Sequence, residues 1–282
     1  MLNTLILDIL ELNKSDNFED LKKNTSYYVI DGISNFLSGK EAFYKLDPTD
    51  CEHAFLITDN RIAADIALKY GIGISVYTNG HNNASDFPEA LYCIENICDM
   101  SDKNLLRMYN RYKCLPWDIL ETEHFLVREI TLSDVDNLYE IYSDYETKQY
   151  IEDLFPNRDD EIRFTNDYIL NQYRFYEYGL WVVIQKETGK LIGRAGIFNR
   201  DNQDLAELGF VFDKSFWGTG ASIEVLTAII EYAKSELGMS SMCAHTVHEN
   251  IRSSHLLTKL GFSFAGEFLV DDKLFDRYII IC

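Results

Sequence analysis

Short apolar runs alternate with stretches of helical period through the first part of the chain. Residues 27–30, 54–58, 72–77 and 91–94 are short, apolar and rich in β-branched or aromatic side chains, which predicts strands. Residues 61–70 and 101–112 repeat apolar positions at helical spacing; Asn60 is placed to cap the first of these helices and Gly71 to end it. Strands and helices in this alternation predict a small α/β layer structure on a mainly parallel sheet. Pro116 then interrupts a helical pattern before a new run of alternation begins. A boundary is expected near residue 119, dividing the chain into residues 1–119 and 120–282.

Beyond that boundary the pattern changes. Residues 124–130 read as a strand, a helical region opens at Leu132, and residues 160–177 place Ile162, Ile169, Tyr173 and Tyr176 on one helix face. Residues 180–185 and 191–198 are strands joined by a turn containing Glu187, Thr188 and Gly189, a hairpin signature, and residues 205–212 supply the next antiparallel strand. A helix over 221–237, a strand over 241–247, a helix over 250–260 and strands over 263–268 and 273–281 complete the order. The expected class is mixed α/β, with a mixed, mainly antiparallel sheet in this second unit.

Composition narrows the function classes. The 282 residues are 46% hydrophobic and 13% aromatic, enough apolar surface to offset the entropy of ordering the chain. The net charge of −20 is spread over both parts, with 11 Lys and Arg against 18 Asp and Glu in residues 1–120 and 15 against 28 in residues 121–282. Such a surface repels phosphate backbones and argues against nucleic-acid binding. It agrees with simple solubility or with a cationic substrate; Glu152, Asp153, Asp159, Asp160 and Glu161 crowd one short segment. The six cysteines (51, 93, 98, 114, 243 and 282) form no CxxC pair and no zinc spacing, so reduced structural thiols in a cytoplasmic protein are expected. The apolar start MLNTLILDIL lacks a basic segment, contains Asp8 and is too short to span a bilayer.

Two segments carry the chemistry. In AELGFVFDKSFWGTGAS (206–222) an apolar strand runs into a glycine-rich turn that opens directly into a helix, with Val225, Leu226, Ile229, Ile230 and Ala233 on its buried face. A helix start of this kind offers unpaired N–H donors and about half a positive charge to a phosphate, and Gly218 and Gly220 are free to take positive φ. In ENIRSSHLLTKLGF (249–262) Asn250 is placed to cap a helix that Gly261 stops.

In this order and spacing the two segments resemble the acetyl-coenzyme A site of the GNAT acetyltransferases, and Gly218, Gly220 and Glu224 resemble the ribosomal-protein (RimJ/RimL) branch. The resemblance spans about residues 122–282 and implies an N-acetyltransferase that moves an acetyl group from acetyl-CoA to a primary amine by direct attack, with no metal. It implies a cofactor site of Trp217, Gly218, Thr219, Gly220, Ala221 and Ser222 on the loop, Phe210, Val211 and Phe212 beside the pantetheine arm, and Asn250 with Ser253 at the second helix. The family loop is usually (Arg or Gln)-x-x-Gly-x-(Gly or Ala); here Trp217 replaces the basic or amide residue and Ser222 the last small one. Many members place a tyrosine general acid where this chain has Leu257.

Glu207, flanked by Leu205 and Leu208, is the candidate general base: a carboxylate withdrawn from water has its pKa raised towards neutrality. A solvent-facing strand glutamate is the other reading. His245 and His248 read first as structural or surface residues, with His245 in reserve for proton transfer. Lys214 and Arg252 either meet the coenzyme phosphates or are solvated charges. The acceptor is expected to be a cationic small molecule or a protein N-terminus, and a non-enzymatic acyl-coenzyme A sensor stays open as the alternative.

The first unit carries a weaker likeness. AFLITDNRIAADIALKYGIGISVY resembles the late part of a haloacid-dehalogenase-like domain, with Asp59 at the magnesium position. That family's early DxD would fall at Asp8, where Leu10 replaces the second Asp, and its later Asp falls on Ala63. The resemblance therefore implies a non-catalytic module, with a phosphatase activity as the alternative.

Overall fold

The structure, a computed structural model, describes residues 1–10, 28–31, 51–95, 100–151, 153–200, 204–270 and 273–282. Tyr27, Cys98 and Glu152 lie outside them. The chain divides into two compact units, Met1–Leu115 and Pro116–Cys282.

The first unit is a five-stranded parallel sheet of β1 (Thr4–Asp8), β2 (Tyr28–Asp31), β3 (Ala54–Thr58), β4 (Gly73–Tyr77) and β5 (Cys93–Ile94) in the order β2-β1-β3-β4-β5. Alternation of side chains across each strand divides its core in two. Leu5, Leu7, Phe55 and Ile57 pack with Leu105 and Tyr109 of α2 (Asp102–Tyr112). Ile6, Leu56, Ile74 and Val76 pack with Ala63, Ala64 and Ala67 of α1 (Arg61–Lys69). The two helices therefore cover opposite faces. Asn60 caps α1 by accepting from the Ile62 amide at 3.1 Å, and the helix turns off at Gly71, φ +69°. β1 carries no period-2 signal because both its faces are covered, which makes it a continuous apolar run.

The second unit is an eight-stranded sheet in the order β12-β13-β11-β10-β9-β8-β7-β6. Its strands are β6 (Asp118–Glu121), β7 (Phe125–Arg128), β8 (Leu180–Gln185), β9 (Leu191–Phe198), β10 (Glu207–Phe212), β11 (Ser241–Val247), β12 (Ser263–Val270) and β13 (Lys273–Ile281). Every registered pairing is antiparallel except β10 with β11. The helices are α3 (Val135–Ser143), α4 (Tyr145–Lys148), α5 (Arg158–Tyr168), α6 (Arg174–Tyr176), α7 (Ala221–Ser235) and α8 (Ile251–Lys259). The helix expected over 160–177 differs in detail. It starts at Arg158 because Asn157 accepts from the Asp159 amide, and it widens into a π turn at Ile169–Tyr173. That turn seats the buried Tyr173, whose hydroxyl donates to the Leu180 carbonyl at 2.5 Å.

α3 and α7 both pack on β9, and Trp181 meets Tyr232 of α7 edge-on at 5.7 Å. β9 is held close to its neighbours: a Cβ at Gly193 would lie 2.3 Å from the Val211 carbonyl oxygen, and one at Gly196 would lie 2.0 Å from that of Gly179. This packing fixes β10, the strand on which the site is built.

Candidate coenzyme and acetyl-transfer site

β10 is fully registered with β9 on one side, from Glu207 opposite Phe198 to Phe212 opposite Gly193. On its other side, among the described residues, the parallel ladder to β11 holds one pair, Glu207 with Cys243, where the Cys243 amide donates to the Ala206 carbonyl at 2.9 Å. Beyond that vertex the strands part. Alternate main-chain N–H and C=O groups of Leu208–Val211 on this edge then have no registered partner strand among the described residues. His245 marks the same opening from β11: its side chain is only 4% exposed while the residue as a whole is half-buried, so the exposure lies in the main chain.

The gap leads to the loop before α7. Asp213 caps a short 3-10 turn, accepting from the Ser215 amide, and the Trp217 indole donates to the Phe212 carbonyl at 3.0 Å. Gly218 and Gly220 take φ of +75° and +94°, and a Cβ at either would meet nothing within 4 Å. Their glycines answer backbone conformation, and the space beside them is open. Gly220 stands at the N-cap of α7 with no side-chain cap. The first-turn amides of Ser222 and Ile223 consequently have no helical acceptor. The one acid of that turn, Glu224, is turned to His124, accepting from its main-chain amide and lying 2.9 Å from its Nδ1. At α8, Asn250 Oδ1 accepts from the Ser253 amide at 3.2 Å. Arg252 lays its guanidinium 3.8 Å from the centre of the Trp217 ring, which joins α8 to the loop.

A profile of the GNAT acetyltransferase domain matches residues 124–263. An uncharacterized N-acetyltransferase, p20, from Bacillus licheniformis is 31% identical over 156 residues, covering 53% of this chain and 84% of that protein. The chain belongs to the GNAT acetyltransferase family. It is thus an acyltransferase, and GNAT acetyltransferases draw the acetyl group from acetyl-CoA. The uS5-alanine N-acetyltransferase of Escherichia coli is 27% identical over 176 residues, covering 57% of this chain and 88% of that protein. RimL, a ribosomal L7/L12 alpha-N-protein acetyltransferase solved with coenzyme A, shares the fold at a TM-score of 0.50 and 16% identity, covering 58% of this chain and 98% of that one.

Within this GNAT unit Glu207 stands at the vertex of the splayed strands, and its surroundings correct the expectation of a raised pKa. The carboxylate is 4% exposed, which alone would push its pKa up. His245 and Arg200 outweigh the burial and hold it below the usual glutamate range. Arg200 donates from Nε to Oε2 at 2.7 Å and from Nη2 to Oε1 at 3.2 Å, and His245 Nδ1 lies 2.9 Å from Oε2, the oxygen that Nε also meets. The solvent-facing alternative for Glu207 is excluded by the same burial. Arg200 was not legible in the sequence as part of this site: it lies in the β9–β10 connection, and only the hairpin geometry returns it to Glu207.

Other expected residues fall to either side. Phe210 is half-buried and Val211 and Phe212 are buried on β10. Lys214 is committed to Glu146 at 2.6 Å and Asp144 at 3.8 Å. His248 is exposed and pairs with Asp276 at 2.9 Å, near Glu267. Leu257 is buried. The acidic run is partly neutralised from within: Asp153 pairs with Lys148, Asp160 with Arg163, and the buried Glu161 accepts from the Phe155 amide. In the first unit, Asp8 and Asp59 come together at the ends of adjacent strands. Burial and the neighbouring Asp59 charge raise the Asp8 pKa. Asp59 is already occupied, accepting from the Leu10 amide at 2.7 Å and from Asn79 at 2.8 Å.

Proposed function

We propose that acetyl-CoA binds along the open edge of β10, with its pyrophosphate at the start of α7, and that its acetyl group is passed to a primary amine at the Glu207 vertex. The observation that carries this reading is the continuity of the gap between β10 and β11 with an uncapped helix N-terminus. Main-chain groups of Phe210, Val211 and Phe212 would hold the pantetheine arm. The amides from Trp217 to Ser222 would meet the phosphates, with Asn250 and Ser253 closing the far side. The residues fit the coenzyme: its anionic end needs donors without nearby carboxylates, and the loop supplies open glycines, first-turn amides and a guanidinium stacked on Trp217.

When bound, acetyl-CoA supplies an activated thioester carbonyl. The chain's own part is to position that carbonyl, to polarise its oxygen through a main-chain N–H near Val211, and to receive the amine's proton at the vertex. Glu207 stays an ionised carboxylate at the vertex, its charge paired with Arg200. The similarity to a ribosomal-protein alanine N-acetyltransferase favours a protein N-terminus as acceptor, and the acidic surface suits a cationic small molecule as well. The six cysteines, with no CxxC pair and no zinc spacing, suit a reducing, cytoplasmic setting. We assign no catalysis to the first unit, because the Asp59 oxygens are engaged by protein donors.

A mass-spectrometric screen of peptide N-termini, polyamines and aminoglycosides with acetyl-CoA tests the reading. Acetylation of at least one amine is expected, reduced to background by Gly220→Asp. Thioester binding with no acetylated amine would favour a sensor.

A further inference from the structure

We propose that His248, Asp276 and Glu267 form a binding site for a zinc-type divalent cation, with a structural role and no part in the acetyl transfer. Three adjacent strands bring them together. Glu267 of β12 is registered directly opposite Asp276 of β13, and Asp276 lies opposite Thr246 of β11. His248 follows Thr246 by two residues, and its main-chain amide donates to the Leu274 carbonyl at 2.9 Å, so the pairing with β13 continues that far. Strand alternation therefore puts all three side chains on one face of the sheet. Their ligand atoms, one from each residue, lie within 4.8 Å of one another, with His248 Nδ1 2.9 Å from Asp276 Oδ1.

Two observations point to a cation at this place. Like charges directly opposite on antiparallel strands destabilise a sheet. Glu267 and Asp276 are such a pair, and among the described residues neither carboxylate is ion-paired to a Lys or Arg. Asp276 is also only 6% exposed, and among the described residues its side chain hydrogen-bonds to His248 alone. A buried carboxylate is costly unless its charge is met. A divalent ion answers both conditions, because the two carboxylates cancel its charge. The imidazole decides the kind of ion: nitrogen with carboxylate oxygen suits zinc, whereas magnesium and calcium take oxygen ligands. A tetrahedral zinc with bonds of about 2.0–2.2 Å holds its ligands roughly 3.3–3.6 Å apart. His248 and Asp276 are already near that spacing, and the exposed Glu267 has only to swing inward. Half of the His248 side chain is exposed, which gives the ion a way in and leaves room for water as the fourth ligand. The bound ion would tie β11, β13 and β12 together across one face.

The test uses the full-length chain, stripped with a chelator, dialysed and titrated calorimetrically with zinc chloride and, separately, magnesium chloride. Wild type should bind zinc one-to-one and saturably, show no magnesium binding at the same concentrations, and melt at a higher temperature with zinc than without it. His248→Ala and Glu267→Gln replace exposed residues, so both should fold. Each should weaken zinc binding at least tenfold and lose the zinc-dependent rise in melting temperature. His81→Ala, in the first unit, should bind zinc as wild type does. The exposed Cys93 and Cys114 are the competing ligands, and blocking thiols with iodoacetamide should leave zinc binding unchanged. The proposal is overturned if wild type shows no saturable zinc binding, if magnesium binds as tightly, or if either site variant binds zinc as wild type does. It is equally overturned if His81→Ala or thiol alkylation removes the binding. None of these readouts involves acetyl-CoA, so they stand whether or not the coenzyme reading holds.

Discussion

Asp134 illustrates how a single residue joins two elements of the second unit. Its carboxylate receives both Arg128 guanidinium donors at 2.7 Å, the Thr131 amide at 2.7 Å and the Thr131 hydroxyl at 2.8 Å, tying β7 to the start of α3. Burial opposes the Asp134 charge, but Arg128 and Thr131 outweigh it and keep its pKa below the ordinary value. Removing one member of such a buried pair leaves the other uncompensated, so Asp134→Ala should lower stability by about 3 kcal/mol in chemical denaturation. A group whose folded pKa is depressed stabilises fully above its unfolded value. This contribution should therefore be complete above about pH 4 and fade as pH falls through the lower folded value. The positive φ of Gly218 and Gly220 and the Asn250 cap were legible from residue type and spacing. The state of Glu207 was not, since Arg200 and His245 reach it only through tertiary contact.

At the scale of elements, spacing served well where one face is buried and the other wet. The hairpin of β8 and β9, the strand β11 and the helices α7 and α8 follow their periodicity closely. β1 escaped because a strand covered on both faces has no alternation to read, and β6 because its four residues are too short for a period. The splay between β10 and β11 has no sequence signal of its own. It depends on the register that β9 imposes on β10, and there Gly193 is the sensitive point. Gly193→Ala would drive a methyl into the Val211 carbonyl oxygen, so destabilisation of about 1–3 kcal/mol is expected in thermal or denaturant unfolding, together with weaker acetyl-CoA binding as β10 shifts. Unchanged stability would mean that β9 does not set the position of β10 as described.

For the whole molecule, the two units have separate cores, and the p20 relative aligns with only 53% of this chain while spanning 84% of its own length. Residues 116–282 expressed alone should therefore fold cooperatively and bind acetyl-CoA about as well as the full chain; failure to do so would assign the first unit a part in the coenzyme site. The central claim is that the open β10 edge and the uncapped start of α7 form that site. Its most direct test is isothermal calorimetry of acetyl-CoA with the full chain and with Gly220→Asp. Replacing Gly220 puts a side chain at φ +94°, with a strain of about 1–2 kcal/mol, and sets a carboxylate among the phosphate-facing amides. Saturable one-to-one binding to the wild type, weakened at least tenfold in a folded Gly220→Asp protein, is the predicted result. Equal binding by the two, or none by the wild type, would contradict it.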